Sequence, residues 1–202
     1  YPEKEWCYFQ KRMMIMLRTL AICLSLLLLA VPGASAGDCP LALEEPVLIT
    51  SVGQNLDALI IKTIFDDMRV KADFLPMAEP SALADYQQVV ISPGISYKGM
   101  VASGTSFEKE FDRTKAIIEA TREYSRPIML MYLGGFTQRD AKSQELVELV
   151  ASNADVIIVY RDSGGPMDYF LKIAREEGVP LFLIDNLGNL CEELMLIFSP
   201  SK

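Results

Sequence analysis

QQVVISPGISYKGMVASGTS, residues 87–106, is the segment from which we predict the fold of this 202-residue chain. Val89–Ile91 is a β-branched run too short for a helix, and the Pro-Gly pair that ends at Gly94 closes it, which indicates a buried strand. A loop of small and polar residues follows, and an amphipathic helix begins near Phe107. In parallel α/β sheets ligands are held where such strands end. The segment therefore predicts a parallel sheet, and this loop is predicted to lie at the edge of the sheet that holds ligands.

Six apolar runs of this kind alternate with helical patterns along the chain. Such alternation predicts a doubly wound, mostly parallel α/β sheet in three layers, resembling flavodoxin or one lobe of a periplasmic binding protein. By precedent for this fold, the strand order is about 2-1-3-4-5 with the sixth strand at an edge. The predicted strands are Val47–Ser51, Ala72–Leu75, Val89–Ile91, Ile128–Leu133, Val156–Val159 and Leu181–Ile184.

For two helices we predict the capping residues, and for the first of them also the buried face. Gln54 or Asn55 is predicted to cap the first helix, and Thr105 with Glu108 is predicted to form a capping box for the long helix at Phe107. The spacing of apolar residues in the first helix predicts that one set of side chains points inward. That set is Leu56, Leu59, Ile60, Ile64, Phe65 and Met68.

The amino-terminal part of the chain has the pattern of a secretory signal peptide. Arg18 precedes an uncharged apolar run over residues 19–31, and small residues follow up to Ala36. We therefore expect residues 13–36 to be a signal peptide cleaved after Ala36, and residues 1–12 to be an upstream extension of the reading frame. Residues 37–202 then form a single α/β domain that is exported to the periplasm or the extracellular space.

The charge of the chain limits its partners. Removal of residues 1–36 takes away four basic and two acidic residues, so the net charge changes from −8 to −10. Nucleic acid and anionic lipid would both repel such a protein. We therefore expect no nucleic-acid partner, and no membrane association after signal cleavage.

Two of the four cysteines, Cys39 and Cys191, lie in the predicted mature domain. An even pair in an exported chain permits a disulfide bond between the two ends of the domain. Two unpaired thiols are the alternative, and the sequence leaves both open.

The sequence contains no histidine, which excludes Ser-His and Cys-His nucleophile pairs as well as His-ligated metal sites. The loop with Gly94, Gly99 and Gly104 lacks the spacing of a phosphate-binding motif. The loop after the first strand lacks the Ser/Thr-rich sequence that a flavin phosphate requires. We therefore predict no cofactor and no resident metal.

Polar and glycine-bearing loops at the predicted strand ends supply the candidate ligand-binding residues. These are Ser51, Gly53, Gln54, Asn55, Ser96, Tyr97, Lys98, Gly134, Gly135, Asp162, Ser163, Asp185 and Asn186. Without a catalytic motif, this rim favours a non-enzymatic binding domain for a small polar molecule or a partner protein. Alternatives are a metal-dependent hydrolase that uses Asp162 and Asp185, and a structural or assembly protein.

Three segments, residues 45–62, 92–110 and 155–185, resemble an uncharacterised family of secreted bacterial α/β domains. Because that family has no assigned activity, the resemblance implies no catalytic residue. The strand at Asp155–Val159, the glycine turn at Ala174–Pro180 and the strand ending at Asp185 are more loosely similar to one lobe of the periplasmic sugar-binding proteins. Those proteins close two lobes on a ligand, whereas this chain has the length of one, and a shared fold does not fix function.

Overall fold

Six parallel strands in the order β2-β1-β3-β4-β5-β6 organise the computed structural model, which describes residues 42–134, 141–164 and 166–198. The predicted strand order, with the sixth strand at one edge, is confirmed. The strands are β1 (Val47–Val52), β2 (Ala72–Phe74), β3 (Gln88–Pro93), β4 (Ile128–Tyr132), β5 (Val156–Tyr160) and β6 (Leu181–Ile184).

The central strands β1, β3 and β4 are buried along their whole length. Both faces of each strand are covered, so apolar residues run continuously instead of alternating with polar ones. This explains why short apolar runs identified the strands in the sequence. Parallel pairing also brings the carboxyl ends of all six strands to one edge of the sheet.

Helices cover both faces of the sheet, which confirms the three-layer architecture. Helix α1 and helix α6 pack on one face, and α3, α4 and α5 pack on the other. The helices are α1 (Asp57–Asp67), α2 (Tyr97–Ala102), α3 (Phe107–Glu123), α4 (Ala141–Ala151), α5 (Met167–Glu176) and α6 (Leu190–Phe198), with 3₁₀ turns at Pro80–Asp85 and Leu187–Asn189.

The prediction of the inward face of α1 was wrong in part. Ala58, Ile61 and Phe65 face the sheet and are fully buried, and only Phe65 belongs to the predicted set. Ile64 and Met68, also in that set, are partly buried against the same core, whereas Leu56, Leu59 and Ile60 are exposed to solvent. Helix α1 carries aliphatic residues on two faces, so periodicity alone could not select the buried one.

Two details of the helix starts also differ from the predictions. Leu56 is the N-cap of α1, and the Asn55 side chain, one residue earlier, accepts the backbone N–H of Asp57 at 3.1 Å. The long helix α3 is capped by Ser106 and not by Thr105, because the Ser106 hydroxyl accepts the N–H of Lys109 at 3.4 Å. The cap of α3 is thus one residue after Thr105, and the cap of α1 is one residue after Asn55 and two after Gln54.

All described residues belong to one compact unit that spans residues 37–202. Within the ranges that the structure describes, no helix combines the length and the apolar character needed to cross a membrane.

Candidate functional site

Most of the predicted rim residues fall into two groups along the carboxyl edge of the sheet, and Asp185 and Asn186, which follow β6, belong to neither. One group lies at the ends of β1 and β3, and the other at the ends of β4 and β5. Gly135 lies outside the described residues. The two groups differ in burial and in hydrogen bonding, and therefore in what they can do.

The polar residues after β1 are buried and hydrogen-bonded inside the protein. The Ser51 hydroxyl donates to the carbonyl oxygen of Asn55 at 3.2 Å, and the Asn55 amide donates to the carbonyl oxygen of Ser92 at 3.0 Å. The Gln54 amide donates to the carbonyl oxygen of Pro76 at 3.3 Å. The contact of Asn55 ties the loop after β1 to the end of β3, and the contact of Gln54 ties it to the segment after β2, so the loop is part of the structural core.

A carboxylate that sequence reasoning missed stands at the centre of this group. Glu110, in the first turn of α3, is fully buried, and its Oε2 atom accepts the N–H of Gly53 at 2.9 Å and the Gln54 amide at 3.2 Å. The Arg113 guanidinium donates to the same oxygen at 2.7 Å and to the carbonyl oxygen of Ser51 at 2.6 Å. We call Gly53, Gln54, Glu110 and Arg113 the Glu110 network.

Electrostatics keep Glu110 ionised in this buried position. Burial by itself would raise the pKa of Glu110, but hydrogen bonds from Arg113 and Gly53 and the charge of Arg113 outweigh it and hold the pKa below its ordinary value. The crevice between β1 and β3 is the topological switch point, where folds of this type hold ligands. In this protein the Glu110 carboxylate accepts the hydrogen bonds that Gly53 and Gln54 of the loop after β1 can donate.

The residues after β3 have mixed environments. Ser96 begins α2, because its hydroxyl accepts the N–H of Gly99 at 3.1 Å while its own N–H donates to the carbonyl oxygen of Gly53 at 2.8 Å. Tyr97 and Lys98 are exposed on the first turn of that helix. Ser96 therefore supports the fold, and Tyr97 and Lys98 lie at the surface.

The second group borders a cavity of about 260 Å³ between α1 and the ends of β4 and β5, which we call the β4–β5 cavity. Three of the predicted residues, Gly134, Asp162 and Ser163, line it. Its other lining residues were not predicted, and they are Asp57, Ile60, Ile64, Leu133, Tyr160, Leu187 and Leu190.

The lining combines aliphatic walls with a few polar groups. Asp57 is only 2% exposed, Ser163 is buried, and Asp162 is exposed. A small cavity with apolar walls and a few converging polar groups is typical of small-molecule sites. The only sequence signal for Asp57 was an acid placed directly after the polar loop of β1.

A second depression, of about 490 Å³, lies beside α3. Its charged residues are Lys109 and Arg113, together with Glu79 and Asp112, so positive and negative charges balance. Most donors of Arg113 are used within the Glu110 network and by the carbonyl oxygen of Ala78. The charge balance gives no preference for a ligand of either sign.

Asp185 and Asn186 lie apart from the lining of the β4–β5 cavity. The Asp185 carboxylate forms an ion pair with the Arg161 guanidinium, and the backbone N–H groups of Asp185 and Asn186 donate to the Glu193 carboxylate. The Asn186 side chain accepts the N–H of Gly188 at 2.8 Å. Among residues 42–134, 141–164 and 166–198, no three or more potential ligands group together as a metal site would require.

The predicted disulfide involves a residue outside the described part of the chain. Cys191, at the start of α6, forms no disulfide with any described residue. Cys39 lies outside the described residues, so the pairing of Cys39 with Cys191 stays a prediction.

The fold and the cavity define the class of this protein as an all-parallel, three-layer α/β domain with a small cavity at the carboxyl ends of its strands. Residues 44–198 match the family model described as "Domain of unknown function (DUF6305)", and the chain belongs to this family. This match confirms the resemblance to an uncharacterised family of domains. The comparisons with curated proteins and with solved structures gave no match.

Proposed function

We propose that residues 37–202 form an exported, non-enzymatic binding domain that holds a small molecule in the β4–β5 cavity. The observation that carries the proposal is the cavity itself, with the buried Asp57 and Ser163 among aliphatic walls. The Glu110 network supports the same choice of site. Gly53 and Gln54, which are donors in the crevice between β1 and β3, already donate hydrogen bonds to the Glu110 carboxylate. Of the predicted rim residues, we then expect Gly134, Asp162 and Ser163 to contact the ligand.

The size of the cavity restricts the ligand. At roughly 30 Å³ for each group the size of a water molecule, a cavity of about 260 Å³ admits fewer than about ten non-hydrogen atoms. The aliphatic walls favour a ligand with an apolar body and a polar end. The proposal thus narrows the predicted small polar molecule to a partly apolar one.

The metal-dependent hydrolase gains no support from the geometry. It requires Asp162 and Asp185 to act together, yet Asp162 borders the cavity while the carboxylate of Asp185 is paired with Arg161. A binding role requires no such pair. We therefore argue the binding function alone.

Filling the mouth of the cavity should weaken ligand binding. Ile60 lines the cavity and is 49% exposed, so Ile60→Phe adds volume at the mouth without disturbing the core. We expect this variant to bind any ligand found by thermal-shift screening about tenfold more weakly, because overpacking a well-fitted site costs 1–3 kcal/mol. The screen uses alcohols, amines and carboxylates of four to seven carbons, and isothermal titration calorimetry measures the affinities.

Leu59→Phe is the matched control, because Leu59 is also 49% exposed on α1 but does not line the cavity. It should bind the same ligand with unchanged affinity. A screen in which no compound raises the melting temperature, or equal affinities for the two variants, would contradict the proposed site.

Export is tested by the amino terminus of the mature protein. Expressed with its leader in a bacterial host, the chain should be recovered outside the cytoplasm with Gly37 as its first residue. Ala36→Phe should block this cleavage, because signal peptidase sites require a small residue at that position. Intact mass and amino-terminal sequencing read the result, and a cytoplasmic product that retains residues 13–36 would refute export.

A further inference from the structure

We infer that the β4–β5 cavity selects a small aliphatic amine, a ligand with an alkyl body and one ammonium group. The inference rests on the proposed binding function and adds to it the charge and the shape of the ligand. It is argued from the charge of the lining, the chemistry of a buried carboxylate and the aliphatic walls.

Among the described lining residues, the charged side chains are all acidic. Asp57 and Asp162 both line the cavity, and none of its ten described lining residues is Lys or Arg. Arg161 neighbours Asp162 in the chain, but its guanidinium forms an ion pair with Asp185. The net charge of −8 on the whole chain has the same sign. A cationic ligand is therefore attracted, and an anionic ligand repelled, both at long range and on contact.

Asp57 gives the site its preference for a hydrogen-bond donor. A carboxylate accepts hydrogen bonds only, and its two oxygens have about four acceptor positions, so it can take a ligand in addition to partners within the protein. Asp57 is 2% exposed, and a buried carboxylate is stabilised most by a donor that carries positive charge. An ammonium group supplies both the charge and up to three N–H donors.

The walls select the alkyl part of the ligand. Ile64, Leu133 and Leu190 line the cavity, while Ile60 and Leu187 line it and remain partly exposed. Each methylene that a ligand buries against such a wall improves affinity by about fourfold. Affinity should therefore rise from propylamine to hexylamine and level off once the cavity is full.

The test compares three six-carbon probes that differ in charge. Isothermal titration calorimetry on the mature domain should show hexylammonium binding about tenfold or more tightly than hexanol, and hexanoate binding most weakly. Asp57→Asn should reduce hexylammonium affinity by about tenfold while leaving hexanol within about twofold. Asp67→Asn, which removes an exposed acid on the same helix outside the lining, should change neither affinity.

The outcomes separate this inference from the proposed function. Equal binding of hexanol and hexylammonium, or an equal loss in Asp57→Asn and Asp67→Asn, would overturn the amine preference and leave the binding site intact. Failure of all three probes to bind would overturn the amine preference, and failure of every compound in the thermal-shift screen would overturn the proposed function as well. If Asp57→Asn does not fold, the same two affinities are measured for Asp162→Asn, at the exposed edge of the lining. This variant should bind hexylammonium more weakly and hexanol with unchanged affinity.

The ammonium group could also belong to a lysine side chain. Blocked Gly-Lys-Gly and its neutral norleucine analogue distinguish this source from a free amine. Tighter binding of the lysine peptide than of hexylammonium would assign the site to peptides, and tighter binding of hexylammonium would assign it to free amines. Preference for the norleucine peptide over the lysine peptide would count against the inference.

Discussion

Glu110→Ala should lower the free energy of unfolding by about 3–5 kcal/mol, the range found when one partner of a buried ion pair is removed. The side chain is fully buried, and its loss leaves the Arg113 guanidinium without its counter-ion and the N–H of Gly53 without its acceptor. For a domain of this size the melting temperature should fall by about 6–20 °C. Urea denaturation followed by circular dichroism measures the change.

Glu108→Ala is the control on the same helix turn. The Glu108 side chain is exposed, and its ion pair with Lys142 spans 3.4 Å at the surface. Exposed pairs of this kind contribute little to stability, so the unfolding midpoint should stay where it is in the wild type. If Glu110→Ala and Glu108→Ala unfold at the same denaturant concentration, the structural role of the Glu110 network is disproved.

Acid titration of the wild type and of Glu110→Gln provides a second measurement of the role of Glu110. Because the pKa of Glu110 is lower in the folded protein than in the unfolded chain, its contribution to stability is complete above the ordinary value of 4.5. That contribution is lost as the pH falls from there through the lower folded-state pKa. Glu110→Gln cannot titrate at this position, so its stability should decline less than that of the wild type over this range.

The sheet could be predicted from the sequence because burial on both faces leaves an unambiguous signal. Val89–Ile91, Ile128–Leu133 and Val156–Val159 are apolar throughout, and no helical period fits runs so short. The strand order was predicted from the precedent of doubly wound α/β folds.

Helix α2 was not predicted, and the reason is Gly99. A glycine in a short segment of small and polar residues between Gly94 and Gly104 is typical of a loop, since glycine disfavours helix interiors. In the structure a Cβ atom on Gly99 would lie 2.5 Å from the carbonyl oxygen of Gln54. The glycine thus permits the close packing of α2 against the loop after β1, a contact between residues 45 positions apart that no local pattern reveals.

The candidate site also depends on contacts between residues distant in the sequence, which local patterns do not reveal. The sequence indicated polar residues at the end of the first strand, and Ser51 at the end of β1 and Gln54 and Asn55 after it fit that description. It could not indicate that Glu110, 57 residues after Gly53, would accept the hydrogen bonds of that loop. Nor could it show that the exposed aliphatic residue Ile60 would border a cavity with Asp162 and Ser163. These long-range contacts are the reason that we propose a site at the ends of β4 and β5 and not in the crevice between β1 and β3.

Gly53→Ala should destabilise the protein by about 2–5 kcal/mol, the sum of a left-handed backbone penalty and an overpacking penalty. Gly53 has φ of +86°, and an added Cβ atom would lie 2.5 Å from the carbonyl oxygen of Gly94. That oxygen belongs to the backbone at the end of β3, so one of the two loops must shift. Such a shift would also displace the N–H of Gly53 from the Glu110 carboxylate.

Gly104→Ala separates the two penalties. Gly104 also has a left-handed φ of +66°, but a Cβ atom there would meet no other atom within 4 Å. Its substitution should therefore cost only the backbone term of about 1–2 kcal/mol. The excess in Gly53→Ala, measured by urea denaturation of both variants, is then the energy of the close approach between the loops after β1 and β3. Equal losses in the two variants would show that these loops can separate freely, and that the switch-point crevice is open to a ligand after all.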